Sequence, residues 1–153
     1  MQIIRIDLTQ IELVINLFDK YRVFYQQPSD VERVKAFLTD RLKNNESIIF
    51  VALATKAEEQ VPVGFTQLYP TYSSVGMTKN WILNDLYVES DFRKQGIGEA
   101  LIKAAMNFAK ENNARSVQLE TAVDNFTAQK LYETIGFKRQ EPDHDFYLYK
   151  ISI

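Results

Sequence analysis

An α+β, or mixed α/β, fold is what this sequence predicts, and three observations carry the prediction. Short β-branched and aromatic runs alternate with stretches whose apolar residues recur every three or four positions. The runs follow the order β-α-α-β-β-β-α-β-α-β. No internal repeat, low-complexity tract or linker interrupts them. The 153 residues, 46% hydrophobic and 25% charged, therefore fit a single soluble domain, residues 1–153, with a sizeable core.

The opening QIIRI reads as a strand. Ile11, Val14, Ile15, Phe18, Tyr21, Arg22 and Tyr25 then recur at helical spacing, with Thr9 as the candidate cap. Gln27-Pro28 breaks that helix. Ser29 or Asp30 can cap the next one, which places Val34, Phe37, Leu38 and Leu42 on its apolar face and ends near Asn44-Asn45. SIIFVALA and VGFTQLY, joined by the polar TKAEEQVP, predict an antiparallel hairpin with a mobile loop. NWILNDLYVES is a longer strand with two polar residues, Asn84 and Asp85, set in an apolar run. Ile97, Leu101, Ala105 and Phe108 mark a helix that Asn112-Asn113 close. SVQLETA follows as a strand, NFTAQKLYETIGF as a helix closed by Gly136, and DFYLYKISI as the last strand, with one further short strand around residues 138–141.

Composition removes several chemistries. With no cysteine there is no disulfide, no thiolate nucleophile and no covalent acyl-cysteine; one histidine, His144, cannot build a multi-histidine centre, and no metal is expected. A net charge of -2 gives no general attraction to nucleic acid or an acidic membrane. No apolar run approaches the length of a membrane span, and MQIIRIDLTQ lacks the pattern of a signal peptide, so a cytoplasmic location is expected. A serine triad finds no G-x-S-x-G, and His144, beside Pro142-Asp143, reads as a surface or packing residue.

The segment RKQGIGEALI is the most informative. A strand running through a glycine turn into a helix points main-chain N–H groups, at the positive end of the helix dipole, towards one spot, which suits phosphate. Gly96 and Gly98 leave the approach open, and Arg93 and Lys94 add charge at its rim. By itself the pattern is equally a plain strand-to-helix turn. A Walker loop would end in G-K-S/T, and a dinucleotide fingerprint would place a small residue where Leu101 stands.

Arg93-Lys94-Gln95-Gly96-Ile97-Gly98 matches the R-x-x-G-x-G/A signature of the GNAT superfamily of acetyl-CoA-dependent N-acetyltransferases. LNDLYV resembles that superfamily's fourth strand, and Asn125, Ala128, Leu131-Tyr132-Glu133 and Gly136-Phe137 resemble its N-x-x-A-x-x-L-Y-E-x-x-G-F element. The resemblance spans roughly residues 50–137. It implies a three-layer fold with a central mixed, mostly antiparallel sheet of six to seven strands, flanked by about four helices. It also implies acetyl transfer from acetyl-CoA to an amine in a ternary complex. Pyrophosphate would lie on Arg93, Lys94, Gln95, Gly96, Ile97, Gly98 and Glu99, and the pantetheine arm along Leu86, Tyr87 and Val88 and at Asn125. Tyr132 would protonate the departing thiolate. From the helix alone Tyr132 is equally a packed tyrosine, and Asn125 a helix cap.

LYPTYSS and NWILNDLYV are similar to the matching stretch of diamine (spermidine/spermine) acetyltransferases and of proteins grouped with the yeast histone and polyamine acetyltransferases. Asn84 stands where the diamine enzymes carry a glutamate. A small primary amine such as a polyamine is the implied acceptor, with a protein lysine or N-terminal amine, or a non-catalytic CoA-binding module, as alternatives. An alkylammonium arrives protonated, so a group must take its proton; Asp85 and Glu120, on adjacent predicted strands, are the candidates. Strict alternation puts Asn84 and Asp85 on opposite faces, a parity that a bulge of the kind the GNAT resemblance implies here would relax. Tyr25, Gln26, Asp30, Tyr69, Tyr72 and Asn84 are the candidates for the acceptor pocket, where rings and an acid hold a cation; the aromatics read equally as core. Dimerisation is common in the superfamily, and the last strand is the candidate edge for a homodimer.

Overall fold

The computed structural model describes residues 1–142 and 145–153, so His144 lies outside the described residues. The chain forms two compact units, residues 1–120 and 121–153.

The first unit holds β1 (Gln2–Arg5), α1 (Glu12–Phe24), α2 (Val31–Lys43), β2 (Ile48–Lys56), β3 (Glu59–Ser73), β4 (Thr78–Val88), α3 (Ile97–Glu111) and β5 (Val117–Gln118). The strands lie in the order β1-β2-β3-β4-β5, antiparallel except for the parallel β4–β5 pair. Alternation along β2 and β3 divides the side chains between two helical layers. Ile49, Val51 and Phe65 join Val14, Ile15, Leu17, Phe18, Val34 and Leu38 in the core under α1 and α2. On the other face Phe50 and Trp81 pack edge-on against Phe108 of α3, with ring centroids 6.2 and 5.0 Å away. A fully buried side chain such as Phe65 or Leu101 contributes about 2–3 kcal/mol by leaving water.

The helix ends show what local sequence can do. Asp30 caps α2, its carboxylate accepting from the Arg33 amide at 3.1 Å. Thr9 does not cap α1. Asp7 instead closes a capping box over the single turn Leu8–Gln10, and α1 begins after Ile11 with no side-chain cap. Asp19, buried in α1, accepts from the Ser29 hydroxyl at 2.6 Å and the Asp30 amide at 2.8 Å, which fixes the turn between the two helices.

TKAEEQVP is a tight hairpin rather than a long loop. Lys56 pairs with Glu59, leaving only Ala57 and Glu58, both at positive φ, to make the turn. Flanking polar residues are ladder positions on a solvated ribbon, which composition alone reads as loop.

The second unit holds α4 (Phe126–Ile135). Asn125 caps it by accepting from the Ala128 amide at 3.1 Å, and Gly136 closes it at φ +121°. The expected strands DFYLYKISI and 138–141 are not strands among the described residues, and SVQLETA supplies only Val117–Gln118. The sheet accordingly has five strands, not six to seven. A period-2 pattern states which face a residue prefers, but a strand exists only through its ladder, and the described part of the second unit contains none.

Candidate active site

β4 governs the site through one extra residue. Gln67 pairs with Asp85 and Leu68 with Leu83, so Asn84 stands unopposed as a bulge. Unbroken alternation would carry Trp81, Leu83 and Asp85 onto the α3 side together. Trp81 does face Phe108 of α3. The bulge resets the phase, so that Asp85 is turned towards Tyr21 of α1 and Tyr87 packs on the α1 core. Asn84 remains exposed at the kink.

Asp85 is 4% exposed. Its Oδ2 accepts from Gln67 Nε2 at 2.8 Å and its Oδ1 from Asn84 Nδ2 at 3.1 Å, and the Tyr21 hydroxyl of α1 acts on the same carboxylate. Its carbonyl accepts from the Thr66 hydroxyl at 2.8 Å. Burial pushes the carboxyl above the usual range, and its polar neighbours Gln67, Tyr21 and Asn84 pull it part of the way back. Gln67 also donates to Tyr69 Oη at 3.0 Å, while its own Oε1, fully buried, has no partner. Burial, reinforced by the acid, raises the hydroxyls of Tyr21 and Tyr69. Tyr25, which ends α1, sets its ring 5.0 Å from that of Tyr21 and is half-exposed.

Beyond Ile82, β4 loses its second neighbour, because β5 meets it only at Trp81 and Ile82. Leu86, Tyr87 and Val88 thus present one main-chain edge that no strand of the first unit covers. The chain then passes the short turn Ser90–Phe92 into α3. Lys94 and Gly96 take positive φ, and α3 starts with no side-chain cap on its amides. A Cβ at Gly96 would meet nothing within 4 Å, so the residue is required for its backbone, at φ +80°, rather than for space. Arg93 turns back, donating from Nε to the Val88 carbonyl at 2.9 Å, and lies over the rings of Phe24 and Tyr87. Gln95 Nε2 reaches the Asp91 carbonyl at 3.3 Å, and Glu99 pairs with Lys103.

The remaining candidates fall elsewhere. Glu120 is exposed two residues past the end of β5. Tyr72 is 71% exposed beside Lys79, and the Asp30 carboxylate serves its helix. Gln26 follows α1 at φ +64°. In the second unit Tyr132 lies two turns along α4 from Asn125, its ring edge-on to Phe137 at 6.1 Å. Tyr21 and Gln67 were absent from the sequence-based site. Their signal was a polar group inside an apolar pattern, the same signal that singled out Asn84 and Asp85. Among the described residues, no group of three or more His, Cys, Asp or Glu is placed to hold a metal ion. None of the described helices is long and apolar enough to cross a membrane.

The sequence model described as "Acetyltransferase (GNAT) family" matches residues 12–137. The chain is 43% identical, over 137 residues, to the uncharacterized N-acetyltransferase YhfO of Bacillus subtilis (strain 168), a match covering 90% of this chain and 87% of the relative. A crystal structure of a probable acetyltransferase, 41% identical, superposes at a TM-score of 0.88 and covers 100% of this chain and 98% of its own. The aminoglycoside N-acetyltransferase AAC(6')-Iy in complex with CoA shares the fold at 21% identity and a TM-score of 0.75, covering 98% of this chain and 95% of its own.

Proposed function

Since this chain belongs to the GNAT family of acetyltransferases, we propose that it moves acetyl from acetyl-CoA to a small primary amine of the polyamine type by direct attack. The observation that carries the reading is the composite of β4 and the turn after it: a bulge that aims a buried acid, an uncovered main-chain edge, and uncapped amides at the start of α3. These features fit acetyl-CoA, which supplies a thioester-activated acetyl group. The amides of Gly96, Ile97, Gly98 and Glu99, with Gln95 and the charges of Arg93 and Lys94, take the pyrophosphate. The main chain of Leu86, Tyr87 and Val88, together with Asn125, receives the arm.

Asp85 takes the proton that the acceptor ammonium must lose before its nitrogen can attack. Burial raises its proton affinity above that of an exposed carboxyl, which suits a group that has to take a proton. Glu120, exposed beyond its strand, lacks that environment. As the carbon–sulfur bond breaks, the Tyr132 phenol gives its proton to sulfur; its reference pKa of about 10 keeps it protonated beforehand. Tyr25, Tyr69 and Asn84, beside the Asp85 cluster, make up the acceptor side, without Tyr72 and Asp30, which lie apart from it. The polyamine assignment draws support from the likeness of LYPTYSS and NWILNDLYV to diamine acetyltransferases and from an acid ringed by tyrosines, a setting that attracts an alkylammonium.

Thiol release measured across diamines, polyamines, lysine peptides, N-terminal peptides and aminoglycosides tests the assignment. A polyamine should show the highest kcat/KM. Preference for a peptide would replace the small-amine reading with protein acetylation. Tyr132→Phe should lower kcat while leaving CoA affinity intact, and an unchanged rate would remove the acid role.

A further inference from the structure

We propose that Tyr21 and Gln67 are positioning residues for acetyl transfer: they orient the Asp85 carboxylate and set the pH range in which it accepts the amine's proton. The inference rests on the reading of Asp85 as the base. It comes from the wiring of the cluster. Two neutral donors, Gln67 Nε2 and Asn84 Nδ2, hold a carboxylate that is 4% exposed, and the Tyr21 hydroxyl acts on it from α1. Gln67 belongs to β3 and Tyr21 to α1, so the acid's orientation is set by tertiary packing and not by β4 alone.

The cost of the arrangement argues for a role. A glutamine with no exposed surface commits Nε2 to two acceptors, the Asp85 carboxylate and Tyr69 Oη, and leaves Oε1 without a partner. An apolar residue of similar shape would pack there without an orphaned acceptor, so stability alone does not call for glutamine. What it supplies is a fixed donor on the ionised acid. The surroundings are otherwise neutral or acidic. Tyr21 faces the carboxylate from α1 with Tyr25 packed on it, Gln67 and Tyr69 from β3, and Asn84 from β4, while Arg41 of α2 acts on Tyr69. Burial drives the carboxyl towards its protonated form, and hydrogen bonds to the ionised form oppose that drive. Removing a donor must then make the acid weaker, and the acid limb of the rate profile must move to higher pH.

The test compares Tyr21→Phe, Gln67→Met and Asp85→Asn with the wild-type chain in kcat/KM from pH 5 to pH 10, and follows Asp85 by carboxyl-carbon NMR in the free protein. Tyr21→Phe keeps the ring that packs on Phe18, Tyr25 and Phe65, and so isolates the hydroxyl. On the acid side each positioning variant should lose about tenfold in kcat/KM, the worth of one hydrogen bond to a charged group, and recover to within about twofold on the alkaline plateau. The Asp85 resonance should titrate at higher pH in both. A uniform loss at every pH, or an Asp85 titration unmoved by Tyr21→Phe, would overturn the proposal, and that arm stands even if Gln67→Met does not fold. An Asp85→Asn profile that retains the wild-type acid limb would instead overturn the assignment of the base itself, and with it this inference.

Discussion

β4 is two strands in one. Its first half, Thr78–Leu83, lies against β3, gains β5 at Trp81 and Ile82, and buries Trp81 and Leu83 on the α3 side. Its second half, Asn84–Val88, is laddered among the described strands to β3 and turns Asp85 towards α1. The first half is built as any core strand is, by apolar side chains on alternate positions. The second half departs from that rule three times, with a bulge, a bare edge and a buried acid, and each departure costs stability that the first half has to offset. Such departures gather where a chain binds and reacts rather than where it merely folds.

Deleting Asn84 should have the largest effect. It restores strict alternation and drives Asp85 onto the apolar α3 side, where an uncompensated charge costs about 3–5 kcal/mol. Chemical denaturation should show loss of most or all of the folded population; a stable, active deletion variant would break the contrast between the halves. Trp81→Ala comes next, a cavity in the structural half worth about 3–5 kcal/mol, read as a lowered denaturation midpoint. In the folded fraction kcat should stay near the wild-type value, since Trp81 packs on Phe108 and not on the acid cluster.

Asp85→Asn should do the reverse. As loss of a general base it should lower kcat about 10²–10⁴-fold, with stability at neutral pH unchanged or higher. The sign follows from linkage. Burial holds the Asp85 carboxyl above its unfolded value, so the folded chain binds the proton more tightly; the stability this contributes is complete below the unfolded carboxyl range and is lost as pH rises through the folded value. Asparagine removes that loss. Thermal melts from pH 4 to pH 8 should show a flatter dependence in the variant, with a neutral-pH gain of about 2–4 °C for each kcal/mol recovered.

Gly96→Ala should be the mildest. The added methyl meets no neighbour, but a φ of +80° costs a side-chain-bearing residue about 1–2 kcal/mol. The expected outcome is a several-fold rise in the KM for acetyl-CoA with little change in the KM for the amine, measured by varying each substrate in turn.

How much of this was legible beforehand varies with the range of the interaction. Asp30, Asn125 and Gly136 appear in the sequence as helix boundaries and serve as such, because a cap is a contact between residues three or four apart. Gly96 before a helical apolar stripe announces an open turn for the same reason. The two polar residues inside NWILNDLYV stand out in an apolar run, the family resemblance implies a bulge there, and the register shows one at Asn84. Tyr21 and Gln67 escaped notice as site residues. Each is one polar group in a good amphipathic pattern, and its meaning depends on a carboxylate 64 or 18 positions away.

Composition, periodicity and short motifs by themselves determined the element order as far as α4, the helix boundaries at Asp30, Asn125 and Gly136, the glycine turn and the family likeness, since these depend on neighbours along the chain. Only the tertiary structure decided that the sheet has five strands, that the hairpin turn is two residues long, and that Asp85 lies under Tyr21 and beside Gln67. Ladders and buried hydrogen bonds require a partner brought in from elsewhere in the fold, and a residue's own pattern states its preference for a face without naming what it will meet there.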